Sequence, residues 1–302
     1  MTLATQGPRP LVSITIPTLN SSRTLGRAIQ SIRAQTYTNI EIIIVDGGST
    51  DGTVEIALEQ SDKVIHCSKA LLAARLEGIS QSHGEIIALI DSDQVLSKDC
   101  IERAVREIDR FDMICLGEET LHPDRRLAQL IQLSRDLVQS NLRAYLNPWS
   151  GLLIPRIFRA SLLHQSIKAI PSVSLDFVTD RDHQILFLEC YRNSESVGFL
   201  QGAIRHDDLL SVIDLIRKAG HWGWGSGLLN GFGLYPELLR ARYQVRLPPS
   251  SSANPFRTTT RGELQKILGA NAIAIVKGIP YEFFFRLGST YGRCLMRRLK
   301  RG

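Results

Sequence analysis

The sequence predicts an α/β fold: a doubly wound, mainly parallel sheet with helices on both faces, followed by a helical C-terminal extension. Over roughly the first 120 residues, short runs rich in β-branched residues alternate with segments of helical periodicity. Predicted strands cover residues 11–16, 40–45, 63–66 and 85–90. Strands that alternate with amphipathic helices form right-handed βαβ units, which place helices over both faces of a parallel sheet.

Two of the intervening segments have the spacing expected of helices that pack on such a sheet. Apolar residues recur at intervals of three and four, first at Leu25, Ala28, Ile29 and Ile32, and again at Ile101, Ala104, Val105 and Ile108. From about Arg125 the alternation stops, and helical patterns with scattered prolines follow. A glycine-rich segment at 220–233, a linker-like segment at 248–260 and two predicted C-terminal helices complete the chain.

Composition leaves several classes of partner open. The 302 residues, of which 43% are hydrophobic, are enough for one large domain with an appendage. A net charge of +6 and an isoelectric point near 9.2 suit a diphosphate ligand, an anionic membrane or a nucleic acid equally well. Five scattered cysteines without a Cys-x-x-Cys pair disfavour a disulfide framework, so we expect a reducing, cytoplasmic compartment. Because the sequence has neither a signal-peptide pattern nor a run of about 20 apolar residues, membrane contact is expected to be peripheral.

The strand predicted at 85–90 runs directly into two carboxylates, Asp91 and Asp93. The carboxyl end of a buried strand opens into the crevice where α/β proteins bind ligands. Two carboxylates there can hold a divalent cation, which in turn can bind a diphosphate. The pair therefore predicts a site for a phosphate-ester substrate.

A second polar string, VDGGSTDGT at 45–53, follows the strand predicted at 40–45. Asp46 can accept a hydrogen bond from a ligand N–H, and Gly47 and Gly48 allow the backbone to approach that ligand closely. The alternative is a tight turn between a strand and a helix, and the string alone favours neither.

Three strings of this sequence, in their order and spacing, resemble family 2 glycosyltransferases, whose fold is called GT-A. They are SITIPTLN at 13–20, RAQTYTNIEIIIVDGGSTDGT at 33–53 and AARLEGISQSHGEIIALIDSDQ at 73–94. The resemblance covers about the first 110 residues and implies an inverting enzyme with a nucleotide-sugar donor. The absence of a Q-x-x-R-W string and of an encoded transmembrane channel favours transfer of a single sugar over processive synthesis.

The resemblance also implies roles for residues on the donor side. Asp46 would bind the nucleotide base, usually uracil, and Arg75 would lie near the nucleotide. Asp91 and Asp93 would hold the ribose and a divalent cation, magnesium or manganese. Further contacts with the donor are implied for Pro17, Thr18, Asn20, Gly48 and Ser92.

In this family a carboxylate ahead of an amphipathic helix in the second half deprotonates the acceptor hydroxyl. The string VTDRDHQILFLE at 178–189 fits that position, which makes Asp180 the candidate base and Asp182 a supporting carboxylate. Thr179 stands where the family usually has Glu. Without the resemblance, both carboxylates could simply stabilise the positive end of the helix that follows.

Two further predictions concern the second half. The resemblance implies that His206, just after a short predicted strand, reaches the metal or the diphosphate; a surface turn or a helix cap is the alternative. The glycines around Trp222 and Trp224 predict that 220–233 is not helical throughout. We expect a mobile lid whose indoles contact an acceptor sugar or a lipid headgroup, with packing in a small satellite core as an equal alternative.

The last forty residues place apolar and basic side chains on opposite faces of a predicted helix. From Arg261 onward there are nine Lys and Arg residues against two Glu. This profile is typical of an interfacial helix attracted to anionic lipid, and a helix docked on the protein with a solvated basic face is the alternative.

These predictions divide the chain into a nucleotide-sugar-binding half at 1–120, an acceptor-binding half at 121–247 that completes the GT-A domain, and a linker with amphipathic basic helices at 248–302. The expected partners are a nucleotide-sugar donor, with a UDP-sugar favoured, a glycan or lipid-linked acceptor, and the cytoplasmic face of an anionic membrane. No nucleic acid is expected.

Three other classes of protein compete with a family 2 glycosyltransferase as explanations of this sequence. Leu76 and Thr179 depart from the family's usual residues and keep open a catalytically impaired, sugar-nucleotide-binding scaffold. A nucleotidyltransferase is less favoured, because TIPTLNSSRTLG at 15–26 lacks a glycine-rich triphosphate loop. A haloacid-dehalogenase phosphatase would carry its Asp-x-Asp on the first strand, whereas here it follows the fourth predicted strand.

Overall fold

A computed structural model describes residues 9–208, 211–241 and 261–299 of the chain. Its centre is a single sheet of eight strands. The strands are β1 (Val12–Thr18), β2 (Ile40–Asp46), β3 (Lys63–His66), β4 (Ile86–Leu89), β5 (Gln94–Leu96), β6 (Met113–Thr120), β7 (Pro155–Arg159) and β8 (Val197–His206). Their order across the sheet is β3-β2-β1-β4-β7-β6-β8-β5.

Eleven α-helices lie in the described part of the chain. They are α1 (Leu25–Arg33), α2 (Thr53–Gln60), α3 (Leu71–Ser80), α4 (Cys100–Glu107), α5 (Arg126–Gln139), α6 (Leu142–Tyr145), α7 (Ala160–Ser166), α8 (Asp182–Tyr191), α9 (Val212–Phe232), α10 (Pro236–Ala241) and α11 (Arg261–Leu299). Two short 3₁₀ helices, Ile167–Ala169 and Ser172–Asp176, precede α8.

The four strands predicted from the sequence are confirmed and form one parallel half of the sheet. Strands β3, β2, β1 and β4 are all parallel to their neighbours. Beyond β4 the sheet becomes mixed, because β7 runs antiparallel to both β4 and β6, while β8 is parallel to β6. Strands from the predicted halves 1–120 and 121–247 therefore share this sheet.

Apolar side chains cover the sheet on both faces, as the predicted fold class requires. Alternate residues of the strands point to opposite sides. Ile42 and Ala88 belong to a core with α1 and α4, whereas Ile87 and Leu89 belong to a core with α3, α7 and α8. The four apolar positions predicted to face the core from the first helix are all buried.

The glycine-rich segment is the clearest departure from the sequence-based expectations. Residues 212–232 form the continuous helix α9, so the prediction that the glycines interrupt a helix in 220–233 is wrong, whereas the lid over the acceptor stays a prediction. The helix ends at Gly233, whose φ of 72° is in the left-handed region that favours glycine.

The glycines of α9 serve close packing against α11. A Cβ at Gly231 would lie 2.6 Å from the Ser289 carbonyl oxygen, and one at Gly227 would overlap the carbonyl of Phe285. On α11, a Cβ at Gly288 would overlap the backbone of α9 in turn. These glycines allow two helix backbones to touch, a mode of packing also common in membrane bundles. We call this pair, residues 212–232 with 277–299, the helical hairpin.

The C-terminal extension also differs in detail from its prediction. A single helix, α11, replaces the two expected helices and contains Pro280 in its interior. The predicted linker at 248–260 lies outside the described residues. Within the described ranges, no helix is long and apolar enough to cross a membrane.

Candidate active site

The carboxyl end of β4 carries Asp91 into a buried network of charges. The Nη2 atom of Arg75 donates a hydrogen bond to Asp91, and the Nη1 atom of Arg156 forms an ion pair with it at 2.9 Å from Oδ2. Arg75 also donates through Nε to Asp182 Oδ2 at 2.6 Å. Arg75 reaches this position from α3, and Arg156 from β7, which the sequence did not predict.

This network determines the charge of Asp91. Burial alone would raise the pKa of Asp91, but the charges of Arg156 and Arg75 outweigh burial and hold that pKa well below its usual value. His183, whose Nε2 lies 3.4 Å from Asp91 Oδ1, is buried beside the same two arginines, which together with burial lower its pKa to about 4. Asp91 is therefore an anion already compensated by two cations.

Arg75 is 2% exposed, the largest of the fully buried side chains in the described part of the chain. Its guanidinium joins Asp91, at the end of β4, to Asp182, the first residue of α8. In this structure Arg75 therefore fixes two carboxylates in place, and its guanidinium is not exposed to a nucleotide.

Asp93 lies two residues further on and has different surroundings. Its Oδ2 is 3.6 Å from Nε2 of His206, and its side chain is 31% exposed. The two are brought together by sheet pairing, because Gln94, at the start of β5, pairs with His206, the last residue of β8. Among the described residues, no arginine or lysine nitrogen lies within 4 Å of the Asp93 carboxylate.

A second pair of charges supports His206 from behind. Asp208 accepts two hydrogen bonds from the Arg135 guanidinium, at 2.8 and 2.6 Å, and its Oδ1 lies 3.5 Å from Nδ1 of His206. Burial lowers the pKa of His206, but Asp208 and Asp93 outweigh burial, so that pKa is raised overall.

The residues at this end of the sheet could supply only part of the ligands that a divalent cation needs. No group of three or more His, Cys, Asp or Glu side chains within the described ranges is arranged to hold a metal ion. Asp93 and His206 offer two adjacent donors, and magnesium sites commonly combine one or two protein ligands with substrate phosphates. Asp91, paired with Arg75 and Arg156, is poorly suited to a cation in this arrangement.

Asp46 stabilises its own turn. Its Oδ2 accepts from the backbone N–H groups of Gly48 and Ser49, both at 2.9 Å, and its Oδ1 accepts from the hydroxyls of Ser49 and Thr18 at 2.5 and 3.2 Å. Burial raises the pKa of Asp46, but these bonds lower it more. A carboxylate has about four lone-pair directions, and all are used here. These contacts match the alternative interpretation of this string, a tight turn between a strand and a helix, in which Asp46 does not bind the base.

The remaining residues predicted on the donor side line the same loops. Asn20, with φ of 51°, donates its N–H to Ser49 Oγ and accepts from the Thr50 N–H, which ties the loops after β1 and β2 together. Pro17 lies within β1. The Ser92 hydroxyl donates to the Ser21 hydroxyl at 3.0 Å. The loop residues thus form a polar rim at the carboxyl ends of β1, β2 and β4.

Asp180 is buried between the start of α8 and the hairpin. It is 5% exposed, its Oδ2 accepts from the Ser226 hydroxyl at 3.1 Å, and a Cβ at Gly225 would overlap its Oδ1. Its Oδ1 has no hydrogen-bond partner among the described residues. Burial raises the pKa of Asp180 to about 7, with the charge of Arg181 acting in the opposite direction. A carboxylate with that pKa is suited to take up a proton near neutrality.

Several residues of this site were not found from the sequence. Asp208 lies two residues after His206, and the string HDD at 206–208 was a usable signal whose two carboxylates we interpreted only as part of a surface turn or a helix cap. Arg156 and Arg135 lie in none of the strings singled out in the sequence, and His183 lies in VTDRDHQILFLE without having been assigned a role. They lie at the site because β7, α5 and α8 converge there, which depends on pairings between distant parts of the chain.

The comparisons with known proteins identify a family for the first part of the chain. A family model described as glycosyl transferase family 2 matches residues 13–124, which extend from β1 to β6 and contain both carboxylates of the Asp-x-Asp. Residues 13–124 thus correspond to a family 2 glycosyltransferase domain. The predicted resemblance is thereby confirmed for this part of the sequence.

Curated relatives match only part of this chain. The glycosyltransferase GlyG of Streptococcus pneumoniae is 37% identical over an alignment of 109 residues that covers 34% of this chain and 36% of that protein. The putative glycosyltransferase EpsH of Bacillus subtilis is 38% identical over an alignment of 112 residues that covers 35% of this chain and 33% of that protein. The chain thus matches these curated relatives over only about a third of their length.

Solved structures extend the likeness of fold beyond the transferase domain. Residues 1–349 of Staphylococcus aureus TarS, in complex with UDP-GlcNAc, have a TM-score of 0.54 at 16% identity and cover 93% of this chain and 91% of theirs. The mannosyltransferase PcManGT of Pyrobaculum calidifontis, in complex with GDP-Man and Mn²⁺, has a TM-score of 0.52 at 16% identity, with coverages of 95% and 88%. At such identities the likeness concerns the fold, and it confirms the predicted GT-A type.

Proposed function

We propose that this protein is an inverting, metal-dependent glycosyltransferase that moves one sugar from a nucleotide-sugar to a glycan or lipid-linked acceptor. The observation that carries the proposal is the contact between Asp93 and His206 after the carboxyl end of β4. It lies beside Asp91, whose charge is balanced by Arg75 and Arg156. A family 2 domain that keeps this arrangement retains the chemistry of a nucleotide-sugar enzyme rather than that of an inert scaffold.

The donor is proposed to lie over the rim formed by the loops after β1, β2 and β4. TarS binds UDP-GlcNAc and PcManGT binds GDP-Man, so this fold accommodates more than one nucleotide. We favour a UDP-sugar as the first candidate. Since Asp46 uses its lone pairs within its own turn, recognition of the base would require that turn to rearrange or would fall to neighbouring backbone groups.

A divalent cation, magnesium or manganese, is proposed to bind Asp93 and His206, where it would offset charge on the leaving diphosphate. Asp208 and Arg135 hold the His206 ring from the side opposite Asp93, which orients its Nε2 toward that carboxylate. Arg75 and Arg156 keep Asp91 ionised and fixed, so that the end of β4 stays rigid while the donor binds.

Asp180 is the proposed base that removes the proton from the acceptor hydroxyl. Its support is physical: a pKa of about 7, burial, and one carboxylate oxygen without a partner among the described residues. Asp182, bound to Arg75, supports the network instead of acting on the acceptor. Attack on the side opposite the leaving diphosphate would invert the anomeric carbon.

Contact with an anionic membrane is proposed through α11. Beside its contact with α9, this helix exposes a stripe of large apolar residues, namely Ile279, Phe283, Phe284, Leu287 and Tyr291. Arg286 is 79% exposed on an edge of this stripe. An exposed apolar stripe with basic residues beside it is the pattern of a helix that lies in a membrane interface. Binding to vesicles of anionic lipid, lost when Phe283 and Leu287 are both changed to Ser, tests this part.

The transferase activity is tested by a thermal-shift and hydrolysis screen of nucleotide-sugars with magnesium or manganese. We expect at least one donor to raise the melting temperature of the wild type and to be hydrolysed slowly, and we expect Asp93→Ala to lose both effects. Asp124→Ala, at a 71% exposed side chain away from the network, is the matched control. If no donor binds with either metal, the proposal is wrong and the scaffold becomes the better description.

A further inference from the structure

The hairpin carries a pair of ammonium groups on one aromatic ring. The Nζ atoms of Lys218, on α9, and Lys277, on α11, lie 5.5 and 5.2 Å from the centroid of the Trp222 ring. All three side chains are half-buried. Two cations from different helices therefore converge on the same indole.

The charges around these lysines are not balanced within the described residues. Among the side chains that the structure describes, no carboxylate lies within 4 Å of either ammonium group. Burial lowers the pKa of Lys277 to about 8, and the nearby charges of Lys218 and Arg135 lower it in the same direction, with Asp208 opposing them. Cation–π contacts contribute only about 1 kcal/mol, too little to compensate two desolvated like charges. Such a cluster is stabilised by an anion.

The position of the cluster points toward the acceptor side of the proposed reaction. Arg135 and Asp208, which act on the charge of Lys277, are the two residues that support His206. His206 in turn faces Asp93. The lysines thus lie near the residues that support His206 from the side opposite Asp93. They also belong to the helical hairpin, against which the proposed base Asp180 packs.

We propose that Lys218 and Lys277 bind a phosphate group of the acceptor, with Trp222 packing beside it. A phosphate monoester carries between one and two negative charges near neutrality and several strong acceptor oxygens, which matches two converging ammonium groups better than a single carboxylate does. The assignment rests on the proposed transferase function and narrows its acceptor to a phosphorylated one. It also gives Trp222 a role different from the lid predicted for it.

Calorimetric titration of the full chain with two soluble probes, butyl phosphate and decyl phosphate, tests this site without any donor. We expect butyl phosphate to bind, and Lys277→Gln and Lys218→Gln each to weaken that binding by about tenfold, the loss of a charge-assisted contact. Lys98→Gln, at an exposed lysine in the loop between β5 and α4, is the matched control and should bind as the wild type does. Tighter binding of decyl phosphate identifies a lipid-linked phosphate, and equal binding identifies a soluble one.

Three results would overturn the assignment. Binding of butyl phosphate that is unchanged in both lysine variants would show that the anion binds elsewhere. No measurable binding to the wild type would show that the cluster is not an anion site. Weaker binding of the nucleotide-sugar donor to Lys277→Gln would show that the lysines serve the donor. Failure of donors to bind the wild type, with butyl phosphate still bound through the lysines, would instead refute the transferase function alone.

Discussion

The loop after β2 and the helical hairpin both contain closely spaced glycines, and the two regions use them differently. In the loop, Gly48 has φ of 96° and sits in a turn closed by hydrogen bonds to Asp46. In the hairpin, Gly227 and Gly231 are helical, and their missing side chains allow α11 to approach. Gly-rich sequence therefore marks a special backbone angle in one region and a close contact in the other.

The two regions also differ in how they treat charge. At the sheet edge, Asp91 is balanced by two arginines, and Asp208 is bound by Arg135. In the hairpin, Lys218 and Lys277 share one indole and have no carboxylate partner among the side chains that the structure describes. Balanced charges stabilise the fold by themselves, whereas the unbalanced pair indicates a ligand.

The largest effect is expected at the exposed carboxylate of the sheet edge. Asp93→Ala should reduce the rate of transfer on the order of 100- to 1000-fold while the fold is kept. The substitution removes a ligand of the proposed cation, which would offset the charge on the leaving diphosphate. Steady-state rates with a saturating donor and circular dichroism measure the two properties. If Asp93→Ala transferred sugar at the wild-type rate, the role proposed for Asp93 would be wrong.

Next in size is the effect of breaking the buried network. Arg75→Gln should lower the free energy of unfolding by about 3 kcal/mol, because Asp91 and Asp182 would both lose a buried cation. Arg33→Gln removes an exposed pair with Asp62 and should change stability by no more than about 1 kcal/mol. Urea denaturation of both variants tests whether the compensated charges act as a structural unit.

The hairpin should respond to a single methyl group. Gly227→Ala should lower the free energy of unfolding by about 2 kcal/mol, because the added Cβ overlaps the Phe285 carbonyl and the helices must move apart. A variant as stable as the wild type in the same denaturation experiment would mean that the glycines are not needed for the close approach.

The pH dependence of transfer should report on Asp180. Its folded pKa, raised to about 7 by burial, means that the carboxylate holds a proton below that pH and cannot act as a base. The transfer rate should therefore rise with pH and fall about tenfold per unit below neutrality. Asp180→Asn should bind the donor and show no such rise; a wild-type rate that is flat from pH 5 to 8 would assign the base elsewhere.

The smallest expected effect comes from a glycine of the hairpin that makes no close contact. A Cβ at Gly278 meets nothing within 4 Å, so Gly278→Ala should stabilise the protein by about 0.5 to 1 kcal/mol through helix propensity. Gly278→Ala and Gly227→Ala should therefore change the free energy of unfolding in opposite directions. That difference would separate the effect of helix propensity from that of contact between the helices. The melting temperatures of the two variants provide the comparison.

The sequence by itself determined the parallel half of the sheet and the place of the Asp-x-Asp. Strands β1 to β4 and the buried face of α1 follow from side-chain periods of about two and 3.6 residues, which are local properties of the chain. A carboxylate that directly follows a buried parallel strand must lie at the carboxyl end of the sheet. The positions of Asp91 and Asp93 could therefore be predicted without knowledge of their partners.

Only the tertiary structure decided what surrounds those carboxylates. Arg156 reaches Asp91 because β7 inserts antiparallel beside β4, and His206 reaches Asp93 because β8 pairs with β5. Both pairings join residues far apart in sequence, and no local period encodes them. The glycines of α9 were misread for the same reason: a glycine weakens an isolated helix, and only contact with a second helix makes it favourable.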